Sequence, residues 1–247
     1  MPYTSIAKFV LAPLLLSQGR WVRKTALRMP EAEGERKGYI SFDTAIAPLN
    51  LLFVGDSTMA GVGAARQDAA LGALTAREVS ALLSRTVRWQ IVAKSGLKIG
   101  QLLALTGQED LLHADVLITA IGVNDVLAQT KPCAFVSAYE NLIAALLTPE
   151  RTGLAIVSGL PPLQITPAIP QPLRWFLGIY AHKLDRSLRR WIQSSQGISH
   201  IPLQWATDLG SLAADRFHPG EGLYREWAHQ IAQQIAHDLG AASISEH

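Results

Sequence analysis

The chain has 247 residues, of which 49% are hydrophobic and 17% are charged, and its formal net charge is +2. This length and composition exclude a disordered or fibrous chain and favour one globular domain with a short extension. Cys133 is the only cysteine, so the sequence excludes a disulfide within this chain.

The positive charge lies in the first part of the chain. Residues 1–30 contain five basic side chains and no acidic one, so the remainder is slightly acidic. A nucleic-acid-binding protein more often spreads a basic stripe, with aromatic side chains in between, over its folded domain. The sequence shows no such stripe, and we expect no nucleic-acid partner.

The segment from Ile6 to Leu16 is apolar except for Lys8, and it is too short to span a bilayer as a helix. Three interpretations remain open. It is the apolar part of a signal peptide, or an interfacial helix that makes peripheral membrane contact through residues 6–28, or an arm packed on the domain or on a second copy of it. Because strongly basic residues follow the apolar run, secretion is disfavoured and we expect a cytoplasmic protein, with or without peripheral membrane contact.

Residues 29–38 change to a charged composition with Pro and Gly, which is typical of a linker. We therefore predict an extension and linker over residues 1–38 and a catalytic domain over residues 39–247.

Strand-like and helix-like patterns alternate along the predicted domain. Strands are expected at 49–54, 87–93, 116–121, 154–157 and 199–203, and helices at 70–84, 99–105, 134–147, 173–194 and 220–239. This alternation predicts an α/β fold, in which a parallel sheet lies between two layers of helices with right-handed crossovers.

A serine follows the first buried strand. Ser57 stands in a Gly-containing turn after the apolar run 51–54, at the carboxyl end of a strand, where open α/β sheets place their sites. A serine hydroxyl becomes a useful nucleophile only beside a base, and Asp215 and His218 supply a carboxylate and an imidazole three residues apart. At this spacing Asp215 can orient the His218 imidazole, and His218 Nε2 is free to take the Ser57 proton.

Two other predicted strand ends carry groups that can stabilise an oxyanion. Gly96 follows the strand at 87–93, and a residue without a Cβ lets its N–H approach a ligand closely. Asn124 follows the strand at 116–121 and brings a side-chain amide donor.

Four sequence blocks together resemble the SGNH (GDSL-type) hydrolase family, in the order that the family shows. The blocks are Gly55-Asp56-Ser57, Gly96, Gly122-Val123-Asn124-Asp125 and Asp215-Arg216-Phe217-His218-Pro219. The resemblance implies a flavodoxin-like α/β/α sandwich with about five parallel strands. It also implies Ser57 as nucleophile, His218 as base and Asp215 as its orienter, with an oxyanion hole formed by the Ser57 N–H, the Gly96 N–H and the Asn124 side chain. Ester hydrolysis through an acyl-enzyme, without a cofactor, is the activity that it implies.

The family's substrates include carboxylesters, lysophospholipids, thioesters and acetylated sugars, and the four blocks do not choose among them. The stretch from 160 to 179 is rich in Pro and large apolar side chains, and it follows the fourth predicted strand. We expect it to form an acyl pocket with Leu160, Ile169, Trp175 and Phe176, although Trp175 and Phe176 also fit an ordinary helix core. The apolar stretch favours short- to medium-chain acyl or lipid esters.

Other functions stay open at this stage. A carbohydrate acetyl esterase, a thioesterase or a lysophospholipase would have the same fold and blocks, and a catalytically inactive lipid- or membrane-binding protein is the alternative from another class. His182 and His200 have no second ligand at metal spacing, so no metal site is predicted.

Overall fold

The computed structural model describes residues 2–147 and 153–245, with side chains described for residues 11–147 and 153–240. Within these residues, six strands form one sheet. The strands are β1 (Lys37–Ile40), β2 (Leu49–Gly55), β3 (Val87–Ala93), β4 (Val116–Ala120), β5 (Leu154–Ser158) and β6 (Ile198–Ile201).

The order of the strands is β1-β3-β2-β4-β5-β6. The five strands from β2 to β6 pair in parallel, and β1 pairs with β3 in the antiparallel direction at one edge. The five parallel strands follow the flavodoxin-like order of a doubly wound sheet, which confirms the expected fold.

Helices cover both faces of this sheet. They are α1 (Pro2–Thr25), α2 (Leu71–Leu83), α3 (Ile99–Thr106), α4 (Val123–Ala128), α5 (Pro132–Leu146), α6 (Leu173–Gln193) and α7 (Glu221–Ser245). Along β2, Leu51 and Phe53 pack on the side of α2 and α7, whereas Leu52 and Val54 pack on the side of α3, α5 and α6. Because both faces of the strand are buried, its sequence is a continuous apolar run and not an alternating one.

Much of the predicted linker contacts the loop after β2 or the edge of the sheet. Ala32 is buried, its N–H donates to Ala60 O at 3.2 Å, and residues 37–40 form the edge strand β1. These contacts are made largely by the backbone, so charged and Gly-containing residues satisfy them without an apolar pattern. The domain boundary at residue 38 stays a prediction, with extensive contacts across it.

Helix α1 packs one face on the domain. Leu15 is buried, and Gln18 donates to Gln171 O at 2.6 Å and accepts from the Leu173 N–H at 3.1 Å. The outer side of the helix exposes Trp21 to solvent. None of the helices in the described part of the chain has both the length and the apolarity of a membrane span.

Candidate active site

Ser57 and His218 lie within hydrogen-bonding distance. Ser57 occupies the turn that leaves β2, and its Oγ lies 2.9 Å from His218 Nε2, although the two residues are far apart in sequence. His218 belongs to the loop before α7, where Gly220 N–H donates to Ser211 O at 2.9 Å. In this geometry an imidazole can take the proton of the serine hydroxyl.

Asp215 holds the other side of the imidazole. Its Oδ2 lies 2.5 Å from His218 Nδ1, and its Oδ1 accepts from the N–H groups of Phe217 and His218, each at 3.0 Å. Burial alone would raise the pKa of Asp215, but these hydrogen bonds outweigh it and hold the pKa below its usual value. Asp215 is therefore ionised at neutral pH and can fix the ring orientation.

The loops that carry Ser57 and His218 are in close contact. Tyr224, in the first turn of α7, donates its hydroxyl to Val62 O at 2.6 Å and to Thr58 O at 3.2 Å. Gly63 has a φ of +106°, and a Cβ at this position would lie 2.0 Å from Pro219 O. Only glycine allows this approach without a backbone shift, so Gly63 and Tyr224 together set the distance between the two loops.

Asp56 is a buried carboxylate next to Ser57. Its Oδ1 accepts from the Thr58 N–H at 3.2 Å, and its Oδ2 accepts from Asn124 Nδ2 at 3.3 Å. Burial raises the pKa of Asp56 to about 6, against the opposing effects of the Thr58 and Gly122 N–H groups and of His218. Asp56 therefore changes charge close to neutral pH.

The predicted oxyanion donors line one cavity with Ser57. Within residues 2–147 and 153–245, no hydrogen bond uses the N–H of Ser57 or of Gly96. Gly96 has a φ of +84° and no atom near the position of a Cβ. Asn124 Nδ2 donates to Leu97 O at 3.0 Å and, more weakly, to Asp56 Oδ2. The N–H groups of Ser57 and Gly96 are therefore free to bind an oxyanion, whereas the Asn124 amide must give up one of its two hydrogen bonds to do so.

The short helix α4, which sequence patterns did not predict, fixes the position of Asn124. It begins after Gly122, whose φ is +133° and where a Cβ would lie 2.8 Å from Leu160 Cδ2. The buried carboxylate of Asp125 accepts from the Ile99 N–H at 2.9 Å and so ties α4 to the start of α3. Helices α3 and α4 follow β3 and β4, which lie on either side of β2, and this bond links the Asn124 loop to the Gly96 loop.

A cavity of about 390 Å³ opens at Ser57 and His218. Most of its lining is apolar, including Leu160, Leu163, Ile165, Leu203, Leu223 and Trp227. Leu160 therefore lies where the sequence placed it, on the cavity wall. A cavity of this size and polarity suits a small or medium-sized apolar group.

The other three residues of the expected acyl pocket do not line this cavity. Ile169 and Phe176 are buried in the core between α6 and the sheet, and Phe176 stacks on Tyr180. Trp175 is 41% exposed on α6, away from the cavity. The reason is that the chain turns away after the stretch 160–166, so its later apolar residues pack against the domain and not against Ser57.

Sequence reasoning missed two contributions to the cavity wall. Leu27 and Met29, just after α1, lie on one side, and Trp205 and Leu209, after β6, lie on another. Both segments lack helix or strand periodicity, so no local pattern marks them. Isolated large apolar residues in otherwise polar loops were the one available signal.

Sequence reasoning also missed a buried charged cluster behind Leu160. Asp185 Oδ1 accepts from the Leu160 N–H at 3.1 Å and lies 3.2 Å from His200 Nε2, while Oδ2 lies 3.1 Å from Arg189 Nε. Burial alone would raise the pKa of Asp185, but His200, the Leu160 N–H and Arg189 outweigh it and lower the pKa. This cluster fixes the backbone of the cavity wall.

Comparisons with known proteins identify the family of this chain. A sequence profile of the GDSL-like lipase/acylhydrolase family matches residues 53–226. The GDSL-like esterase Rv1075c of Mycobacterium tuberculosis is 26% identical over 187 residues, which cover 71% of this chain and 58% of that esterase. The chain thus spans less than two thirds of this relative's length.

Solved structures share the fold. The lipase Lip_vut3 from a goat rumen metagenome has a TM-score of 0.59 and 20% identity, over 74% of this chain and 95% of that one. A carbohydrate acetylesterase family member from Sinorhizobium meliloti has a TM-score of 0.59 and 14% identity, over 78% and 99%. The family profile covers most of the chain and both halves of the Ser57–His218 pair. The chain belongs to the GDSL-like lipase/acylhydrolase family, a family of carboxylic ester hydrolases.

Proposed function

We propose that this protein is a serine carboxylic-ester hydrolase that acts through an acyl-enzyme on short- to medium-chain acyl or lipid esters. The observation that carries the proposal is the Ser57–His218–Asp215 arrangement, with 2.9 Å between Ser57 Oγ and His218 Nε2, at the mouth of an apolar cavity. Family membership supports it independently.

In the first half of the reaction, His218 Nε2 takes the Ser57 proton while Ser57 Oγ forms a bond to the ester carbonyl carbon. The C–O bond to the alcohol then breaks, and the imidazolium returns the proton to the departing alkoxide. Asp215 stabilises the imidazolium throughout. In the second half, His218 deprotonates a water molecule that attacks the acyl carbon. The bond between this carbon and Ser57 Oγ then breaks, the imidazolium returns the proton to Ser57 Oγ, and the acid leaves.

The N–H groups of Ser57 and Gly96 and the Asn124 amide stabilise the oxyanion of each tetrahedral intermediate. Asn124 contributes by exchanging its weaker bond, the one of 3.3 Å to Asp56 Oδ2. Its bond to Leu97 O, at 3.0 Å, keeps the amide in place during this exchange.

The apolar cavity supports an acyl or lipid ester as substrate. Leu160, Leu163 and Ile165 offer surface to a hydrocarbon chain, and Leu27 is 59% exposed at the cavity edge. Burial of each methylene group contributes about 0.8 kcal/mol to the free energy of binding, so such a cavity favours acyl chains longer than acetyl.

Hydrolysis of a p-nitrophenyl ester series, from acetate to long acyl chains, tests the proposal with wild type and Ser57→Ala in parallel. We expect wild type to turn over, with an optimum beyond acetate, and the variant to lose at least about 1,000-fold in kcat. A serine-directed fluorophosphonate should label wild type only. Lysophospholipid and acetylated xylose serve as comparison substrates.

An inactive wild type, or a Ser57→Ala variant that matches it, would refute the assignment of the nucleophile. A preference for acetylated xylose over lysophospholipid and every p-nitrophenyl ester would retain the enzyme class and refute the substrate class.

The outer face of α1 supports peripheral contact with an anionic membrane as part of the same proposal. Arg20, Arg23, Lys24 and Arg28 are exposed on this helix and just after it, and Trp21 is 56% exposed among them. Basic residues attract anionic headgroups, and tryptophan favours the interface between headgroups and acyl chains. Since Leu27 lies at the cavity edge, this face would bring the cavity close to a lipid surface.

A further inference from the structure

Residues 31–36 are fixed to the loop that carries Ser57. The Ala32 N–H donates to Ala60 O at 3.2 Å, and the Glu33 N–H donates to Ala65 O at 3.1 Å. In return, the Gln67 N–H donates to Glu33 O at 2.8 Å. The acceptors Ala60 and Ala65 lie in the turn that follows Ser57, so the position of this segment is set by the nucleophile loop.

Side chains of the same segment reach the loop that carries Gly96. Glu31 Oε1 accepts from the Ser95 N–H at 2.7 Å, and Arg36 Nη1 donates to Ala93 O at 2.7 Å. Arg36 also forms an ion pair with Glu31 through Oε2. One ion pair therefore holds the backbone at both Ala93 and Ser95, immediately before Gly96.

The Gly96 loop requires such a support. Ser95 and Gly96 are exposed, Gly96 has a φ of +84°, and no atom lies within 4 Å of the position of a Cβ. Glycine has the greatest backbone freedom of any residue, so packing around Gly96 does not fix the direction of its N–H. A bond to the neighbouring peptide at Ser95 restricts that freedom.

The charge state of Glu31 suits this role. Partial burial would raise the pKa of Glu31, but the hydrogen bonds from Ser95 and the Arg36 guanidinium outweigh it and lower the pKa. The carboxylate is therefore ionised at neutral pH, where it is a strong acceptor for the Ser95 N–H.

We propose that Glu31, held by Arg36, is a positioning residue that directs the Gly96 N–H toward the oxyanion. The inference rests on the proposed ester hydrolysis and deepens it. Glu31 contacts no reacting atom and acts through Ser95. Since the oxyanion develops only in the transition state, losing this support lowers kcat and leaves KM nearly unchanged.

Four variants test the proposal on p-nitrophenyl acetate. Glu31→Ala removes the acceptor, Glu31→Gln retains an acceptor at the same length, and Glu31→Asp retains the charge but is one methylene shorter. Glu33→Ala is the matched control, because it removes the same charge from an exposed side chain of the same segment.

We expect Glu31→Ala to lower kcat by about 10- to 100-fold, as a misplaced catalytic group does, with little change in KM. Glu31→Gln should have a kcat between those of wild type and Glu31→Ala, because its amide oxygen can accept from the Ser95 N–H but its NH2 group cannot pair with Arg36. Glu31→Asp should fall toward Glu31→Ala, and Glu33→Ala should match wild type. A purely structural role would lower the thermal stability of the variants without this ranking of kcat values.

A Glu31→Ala variant with wild-type kcat, or with a raised KM at unchanged kcat, would overturn this inference alone. If Glu31→Ala does not fold, the comparison of Glu31→Gln with Glu31→Asp decides. A Glu31→Asp variant at least as active as Glu31→Gln would overturn the inference. A wild type that hydrolyses no ester is a different result, because it refutes the proposed function before any Glu31 variant is measured.

Discussion

At the scale of single residues, the candidate active site combines two carboxylates with opposite environments. Asp215 accepts two backbone N–H bonds and contacts His218, and its pKa is lowered. Asp56 is more deeply buried, and its pKa is raised to about 6. Hydrogen bonds prevail in the first case and desolvation in the second, so the two groups lose their protons at different pH.

The raised pKa of Asp56 predicts a pH-dependent cost to stability. In the unfolded chain this carboxyl has its ordinary pKa of 3.8, whereas in the folded protein its pKa is about 6. The protonated Asp56 carboxyl therefore contributes fully to the stability of the fold below its pKa in the unfolded chain. This contribution is lost as the pH rises through its pKa in the folded protein. Asp56→Asn, which stays neutral, should gain stability relative to wild type between about pH 4 and pH 7.

Denaturant unfolding of wild type and Asp56→Asn at several pH values in this range measures the effect. Asp43→Asn, at an exposed carboxylate, is the control and should follow wild type. Parallel stability curves for wild type and Asp56→Asn would contradict the prediction. The rates of ester hydrolysis by wild type and Asp56→Asn over the same pH range show which part of the pH dependence belongs to Asp56.

At the scale of elements, the contact between Ser57 and His218 depends on the approach of two loops. The loop after β2 and the loop before α7 meet where Gly63 lies against Pro219 O, and Tyr224 hydrogen-bonds across the same contact. Neither loop has regular secondary structure at this point. Close backbone packing therefore sets the 2.9 Å distance between Ser57 Oγ and His218 Nε2.

Gly63→Ala should separate these loops. The added Cβ would lie 2.0 Å from Pro219 O and would also occupy an unfavourable φ of +106°. A shift of about 1 Å at the reacting groups lowers kcat by roughly 100-fold, so we expect a loss of this size together with a lower Tm.

Gly100→Ala is the control for Gly63→Ala. Gly100 lies in α3 with no atom within 4 Å of a Cβ, and alanine favours a helix by up to about 1 kcal/mol over glycine. Its Tm and its kcat on p-nitrophenyl acetate should be equal to or above those of wild type. Equal losses in the two glycine variants would show that contact with Pro219 is not the cause.

At the scale of the whole molecule, residues before β2 serve more than one purpose. Helix α1 packs Leu15 on the domain and exposes Trp21, while Glu31 and Arg36 hold the Gly96 loop. A deletion of residues 1–37 would therefore remove both the proposed membrane face and the contacts of Glu31 and Arg36 with the Gly96 loop. Substitutions on the outer face of α1 change only the first of these two features and leave the contacts of the Gly96 loop in place.

Reversal of three charges on α1 tests membrane contact. We expect wild type to sediment with anionic vesicles at low salt and to be released as salt is raised. Because each basic residue contributes about 1 kcal/mol at an anionic surface, Arg20→Glu/Arg23→Glu/Lys24→Glu should bind more than about 100-fold more weakly. Hydrolysis of a soluble ester should be unaffected, since these side chains do not line the cavity.

The control for this experiment makes the same change of charge on another helix. Lys183→Glu/Arg186→Glu/Arg190→Glu alters exposed residues of α6 and should bind vesicles as wild type does, apart from a small general effect of net charge. Equal loss of binding in both triple variants would mean that overall charge, and not the α1 face, governs binding.

The sequence by itself determined the parallel sheet and the family. The five parallel strands and the helices between them are confirmed, because burial on both faces leaves continuous apolar runs and amphipathic helices leave a regular period. The family was also evident, because its four blocks each follow a strand or precede a helix. Ser57, His218 and Asp215 could be named together for this reason.

Only the tertiary structure decided what surrounds these groups. The placement of Leu27 at the cavity, of Trp175 away from it, and of Glu31 against Ser95 depends on contacts between segments far apart in sequence. Such contacts use irregular backbone and single side chains, which have no repeating pattern that a sequence could display. Local periodicity encodes where a strand or helix forms, whereas the walls and supports of a site arise when loops from several strands meet.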